Sequence, residues 1–353
     1  MARTAGQRFS ESANLDLLRA IAVLAVYFFH LSITLGASLP AYAGRFGVLI
    51  FFVHTSLVLT MSLERIASAN RPLVSTFYIR RFFRIYPLSV LCVSLIVLFH
   101  LPRAPWWPWL NPDGSTILAN LLLCTNLFYK EVVTTVLWSL PYEVQMYLVL
   151  PLAYLVGKAY GLRGILALWC AAVIAGIVQP HFAGRLDIAQ YGPCFMAGVA
   201  SYFLGFGSMT RRLPFIGWPL VIAIAGGILA YGSTIGFPAA ATWAMCLVLG
   251  LAAPLFANLE QPGLRKVTAW IARYSYGIYL THLYAQWAAF VVLKEYPAAV
   301  RWGTLAALSV GLPMGLYHLV ESPMITVGAR LAHRLPMRII PAAVTPEAAV
   351  VAD

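Results

Sequence analysis

Ten apolar runs constrain this chain more than anything else in it: residues 15–35, 45–63, 84–101, 136–157, 164–180, 188–206, 214–232, 239–257, 274–293 and 302–325. Each approaches the roughly 20 residues that a helix needs to cross a bilayer. Composition agrees, since 61% of the 353 residues are hydrophobic and only 10% charged. A soluble domain is nearer half apolar and a quarter charged. The formal net charge of +12 would suggest nucleic acid in a soluble protein. Here the basic residues fall in short clusters between the apolar runs, as orientation-setting cytoplasmic loops do, so no nucleic-acid partner is expected. The first run is longer than a signal-peptide core and has no small-residue cleavage site behind it. The five cysteines lie in separate runs with no CxxC and no close Cys/His pair, which signals neither a metal site nor a disulfide framework.

An eleventh run, "STILANLLLCTNLFY" at 115–129, is short and carries Asn120 and Asn126. Charge decides its place. With ten crossings and a cytoplasmic N-terminus, 18 of the 24 Lys and Arg fall on the inner side. Letting 115–129 cross inverts everything after it and destroys the bias. The expected fold class is therefore all-α: a polytopic membrane helix bundle of about ten transmembrane helices, both termini cytoplasmic, with 115–129 as a short helix at the outer face. The preceding "LPRAPWWPWLNPDGS" places Trp106, Trp107 and Trp109 for the headgroup interface. One membrane domain spans 12–327, and residues 328–353 form a basic, then disordered, cytoplasmic tail.

An ionisable group at depth is costly unless paired or wetted, so each marks a candidate site. His30, His54, Glu143, His282, His318 and Glu321 qualify, with Arg19 at a helix end. Arg19 and His30 are eleven residues apart, three turns plus about 20°, so they share a face at roughly 16 Å separation along the axis. Counting from the opposite surface puts Glu143 roughly 10 Å down its own helix, at a depth similar to that of His30. A histidine oriented by a carboxylate is a general-base arrangement; separate packing roles for each are the alternative. Arg81 and Arg84, one turn apart in "RRFFRIYPL", suit bidentate phosphate binding, or anchoring on anionic headgroups. Trp138, Ser139 and Tyr142 cluster with Glu143 at a helix start, where aromatic residues commonly anchor the interface. Glu321 suits orienting the arginine cluster and His282 a helix-to-helix hydrogen bond. His54 either lines the cavity of His30 or bonds Thr55 or Ser56. A proton-coupled transporter keeps the same residue types at depth, but its paired interrupted helices are not evident.

Seven stretches occur in order along the chain: LDLLRAIAVLAVYFFH, FGVLIFFV, RRFFRIYPL, LWSLPYEVQMYLVLPL, FMAGVASY, YSYGIYLTH and ESPM. Together they resemble the membrane acyltransferase 3 family, which O-acylates sugars and other hydroxyl acceptors, over residues 12 to 327. The resemblance implies an acyl-CoA donor, acetyl-CoA by default, on the cytoplasmic side and no metal. It also implies transfer, in a bacterial inner membrane, to a hydroxyl of a cell-envelope or exported glycan or glycolipid. It maps the family's Arg-x10-His onto Arg19 and His30, its phosphate-proximal RxxR onto Arg81 and Arg84, and its glutamate onto Glu143. A catalytic scheme follows in which His30 activates the acceptor, Glu143 steadies His30, and Ser139, Tyr142 or His54 meets the carbonyl oxygen. "FFVHTSLVL" departs from the family's FFxxSGF and adds His54, which leaves the acceptor end open.

Overall fold

A computed structural model describes residues 12–102, 111–182, 184–205 and 212–336, apart from the side chains of 184–186. The tryptophans 106, 107 and 109 and the tail beyond 336 lie outside the described residues. Eleven α-helices are described: α1 Ala13–Thr34, α2 Ala41–Ser68, α3 Leu73–Phe99, α4 Gly114–Leu121, α5 Leu140–Val178, α6 Gly192–Phe203, α7 Gly217–Thr234, α8 Pro238–Ala252, α9 Pro262–Trp287, α10 Ala298–Leu316 and α11 Ser322–His333. No strand occurs among the described residues beyond one bridge between Leu213 and Phe256.

Among the described residues, seven helical segments are long and apolar enough to cross a membrane. They are Ala13–Thr34, Ala41–Ser68, Leu73–Phe99, Thr135–His181, Gly217–Thr234, Pro238–Leu255 and Ala298–His333. Each of the ten apolar runs contains a helix, but the correspondence is uneven. The run at 188–206 yields only the 12-residue α6, and that at 274–293 ends the more polar α9. Thr135–His181 holds two runs at once. Its break is at Gly161, with φ +62° and ψ −153°, a conformation open essentially to glycine alone. Tyr142 hydrogen-bonds Asp187 and Gly176 lies against Ala189, whereas Gly157 meets Phe203. The halves 140–160 and 162–178 therefore run antiparallel, as a hairpin turned at Gly161.

The 115–129 run does not form a spanning helix. α4 is eight residues long, about 12 Å at 1.5 Å per residue, against roughly 30 Å of hydrocarbon. Its asparagines work locally. Asn120 Nδ2 donates to Thr116 O and Glu131 O, and its Oδ1 accepts from Val133 N–H, so the side chain pins the loop that leads into α5.

α2 is the central helix, 78% buried over its most apolar window against 11% for α10–α11. Little attraction between helices in lipid comes from hydrophobicity itself, so small residues that permit close approach matter. At Gly198 of α6 a Cβ would lie 2.1 Å from Val53 O and 2.0 Å from Ser56 Oγ of α2; glycine is required there. α10 continues into α11 through a π-turn at Tyr317–Glu321. Pro323 has no N–H to give the regular ladder, and Ser322 N–H bonds Tyr317 O five residues back. The inserted residue turns Glu321 into the bundle, where it is 1% exposed.

Candidate active site

α1 and α9 run side by side and in the same direction. Arg19 Nε donates to Ser275 Oγ at 2.6 Å, Tyr27 packs on His282, and Thr34 Oγ1 donates to Gln286 Oε1 at 3.2 Å. Arg19 and His30 both face α9, as their eleven-residue spacing requires of a regular helix.

Two neighbouring cavities open along this seam. The inner one, about 90 Å³, is lined by Arg19, Arg81, Arg84 and Glu143 together with Tyr147, Ser139, Tyr279 and His54. The wider vestibule, about 790 Å³, is walled by the starts of α1 and α9 and by Arg65 of α2. Arg19, His54, Val58 and Arg84 line both, so they stand between the two.

Charge around the inner chamber is only partly balanced. Arg84 Nη1 pairs with Glu321 Oε1, and the other oxygen of Glu321 is buried without a partner among the described residues. Arg81 is half-buried, and its buried Nε has no partner among the described residues. Glu143 accepts from Tyr147 O–H at 2.6 Å, one helical turn along α5. Three guanidinium groups thus face two carboxylates, which leaves one positive charge for an anion or a polarised oxygen. His54 is 5% exposed, and no hydrogen bond holds its ring among the described residues. Ser56 and Thr60 instead bond carbonyls of their own helix.

The structure does not bring His30 and Glu143 together. His30 Nδ1 lies 3.0 Å from Val26 O and 3.1 Å from His282 Nε2. His282 Nδ1 in turn lies 3.0 Å from Ile278 O. A carbonyl only accepts, so in the neutral rings each Nδ1 carries its proton. His30 Nδ1–H is shared between Val26 O and His282 Nε2, and the lone pair of His30 sits on Nε2, which has no partner among the described residues. His282 therefore holds the position that the sequence suggested for Glu143. Depth explains the difference. α5 starts at Leu140 inside the bundle, after a 3₁₀ segment Thr135–Ser139 with Val136, Leu137 and Ser139 buried. Glu143 consequently lies at the level of the arginines. Ser139 meets Tyr279 O–H at 2.8 Å one turn nearer the histidines, and the Tyr279 and His282 rings are 6.4 Å apart. Tyr279 stands between the inner cavity and the histidine pair.

Trp138 and Tyr142 do not line either cavity. Their rings pack with Tyr191 at 5.9 and 4.7 Å, and Tyr142 O–H donates to Asp187 at 2.5 Å. Asn126 joins Asp187 and Gln145 in the same network, tying the loop before α5 to the loop before α6. Of the cavity residues that sequence reasoning missed, Tyr147 was findable from its i+4 spacing to Glu143. Tyr279 and Ser275 carry no such mark. No cluster of three or more metal-ligating side chains occurs among the described residues.

A multi-pass helical bundle with a buried arginine–carboxylate chamber fed by a basic vestibule has the architecture of a membrane-embedded enzyme. The family model for the acyltransferase 3 domain matches residues 12–318, and the chain belongs to that family; it is an acyltransferase. A curated relative, the acyltransferase MdmB of Streptomyces mycarofaciens, is 27% identical over 350 residues, covering 86% of each chain. No solved structure matches the chain significantly.

Proposed function

We propose that this acyltransferase moves an acyl group, acetyl by default, from cytoplasmic acyl-CoA to a hydroxyl of a cell-envelope or exported glycan or glycolipid. The observation that carries this reading is the pair of cavities in series, narrowing from a basic vestibule to a chamber lined by Glu143 and three arginines. A donor that is anionic at one end and reactive at the other suits such a path. The chain crosses a bacterial inner membrane ten times with both termini inside, a topology supported by the inward bias of its Lys and Arg.

In this reading the acceptor enters from the histidine end. His30 Nε2 removes the hydroxyl proton, and the oxygen attacks the thioester carbonyl. The new C–O bond forms as the C–S bond breaks, and the proton passes from His30 to the departing thiolate. His282 and the Val26 carbonyl hold the His30 ring in the tautomer that exposes Nε2. Negative charge developing on the carbonyl oxygen needs a donor already in place; His54 borders the chamber and supplies the candidate, since Tyr279 O–H already donates to Val136 O and Ser139 O–H to Tyr279. Glu143, bonded to Tyr147, sets the charge of the arginine cluster from its own side.

The test is acyl transfer in proteoliposomes from labelled acyl-CoA, followed by mass spectrometry of envelope glycans and lipids with and without the protein. One acyl-sized mass difference that depends on the protein supports the reading. Solute uptake without acyl-CoA, and no acylated product, would replace it with a proton-coupled carrier.

A further inference from the structure

The vestibule carries a charge pattern that pairing does not account for. Arg65 of α2 and Arg265, Lys266 and Arg273 of α9 line its wall, with Asp16 as the single carboxylate. None of the four cations has a carboxylate partner among the described residues, whose ion pairs lie elsewhere. Arg265 and Lys266 also sit in the opening turns of α9, where free N–H groups and the helix dipole already present positive charge. That helix has no acidic residue in its first turn, and its N-cap, Gln261, makes no capping hydrogen bond. Cations are disfavoured at such a position unless an anion joins them, and Pro262, the first residue of α9, is on the same wall.

Shape adds an independent constraint. The vestibule and the inner chamber lie on either side of Arg19, His54, Val58 and Arg84, which line both. Along α9, Arg265 in the vestibule and Tyr279 at the end of the chamber are fourteen residues apart, roughly 21 Å of helical rise. A ligand occupying both is long, multiply anionic at one end and uncharged at the other.

We infer that the vestibule is a phosphate seat, in which Arg65, Arg265, Lys266 and Arg273 hold the phosphates of acyl-CoA while its arm passes Arg19 and His54 into the chamber. This rests on the donor assigned under the proposed function. It moves the phosphates away from Arg81, which lines only the inner chamber and there faces the acyl end. Anionic lipid headgroups offer the same phosphate chemistry, so the experiment separates the two sources.

Coenzyme A and adenosine 3′,5′-bisphosphate are titrated against the full-length protein in neutral detergent and in nanodiscs with and without phosphatidylglycerol. The variants are R265Q/K266Q, R65Q/R273Q and, as a single-charge control far from the vestibule, K130Q. Each double variant is expected to weaken both probes at least tenfold, to flatten the salt dependence of binding, and to raise KM for acyl-CoA far more than it lowers kcat. K130Q is expected to move none of these. Unchanged affinity for both probes in both double variants, with only association to phosphatidylglycerol reduced, would overturn the inference and leave these cations as lipid anchors. Wild-type protein that binds neither probe would overturn it too. If acyl transfer from acyl-CoA proceeds with the same KM in every variant, the seat fails and the proposed donor stands. If the bisphosphate binds at the vestibule but no acyl transfer is found, the seat stands and the proposed reaction fails.

Discussion

The α1–α9 seam treats its two ends differently. At one end Arg19 bonds Ser275, and a surplus of guanidinium charge faces a cavity beside a wide vestibule. At the other, three turns away, His30 and His282 form a chain of rings closed on helix carbonyls. Charge is tolerated where water and counter-charges can reach it, and is expensive in a helix surrounded by lipid. The contrast implies a division of labour: the arginine end binds and polarises, and the histidine end handles a proton without holding a permanent charge.

Four experiments break or sharpen this division. The largest effect belongs to His30→Ala, which should lower acyl transfer roughly a thousandfold, within the range for loss of a general base, while coenzyme A binding persists. Transfer at the wild-type rate in vesicles would remove the proton chemistry from the histidine end. Next, Glu321→Ala strips the partner from Arg84. Breaking a buried ion pair costs about 3–5 kcal/mol, and the lower figure applies because Arg84 keeps 20% of its side chain exposed. Thermal unfolding in detergent measures this, and replacing both partners by apolar residues should recover much of it. His282→Gln is expected to cost about tenfold in kcat, about 1.4 kcal/mol. The glutamine oxygen still accepts from His30 Nδ1–H but fixes the ring less well, so His282→Ala should be worse. An equal loss for both variants would make His282 a packing residue.

The smallest effect lies off the seam and serves as a control. Hydrogen bonds from Thr116 and Ser115 hold the Asp113 carboxyl below the usual carboxylate range at the start of α4. A depressed folded-state pKa stabilises above the unfolded value, and that gain is lost as pH falls through the folded value. Asp113→Asn should therefore be slightly less stable than wild type at neutral pH and converge with it in acid, with acyl transfer unchanged throughout. Reduced transfer would mean that the α4 loop shapes the acceptor entry.

Much of the helical framework was legible because the bilayer admits few solutions. Apolar length marked the helices, and an eight-residue α4 matches the exclusion of 115–129 as a crossing by charge bias. The hairpin at Gly161 was visible as a gap between two runs. The identity of the buried ionisable groups was also legible, since a carboxylate or imidazole at depth stands out against lipid-compatible neighbours. Their partners were less so. Counting residues placed Glu143 beside His30 because it assumed that the helix began at the surface; the buried 3₁₀ entry of α5 put it among the arginines instead. The π-turn that aims Glu321 at Arg84 depends on Pro323, a local cause whose direction cannot be read from the chain.

By itself, the sequence determined the all-helical membrane architecture, the common face of Arg19 and His30, and the short list of residues able to do chemistry. These follow from helix periodicity and the energy of burying charge, which act within one segment. Only the tertiary structure decided that His30 bonds His282, that Glu143 bonds Tyr147, and that four cations with no carboxylate partner among the described residues gather at one vestibule. Those outcomes depend on the depth and rotation of separate helices relative to one another, which close packing fixes and no single segment encodes.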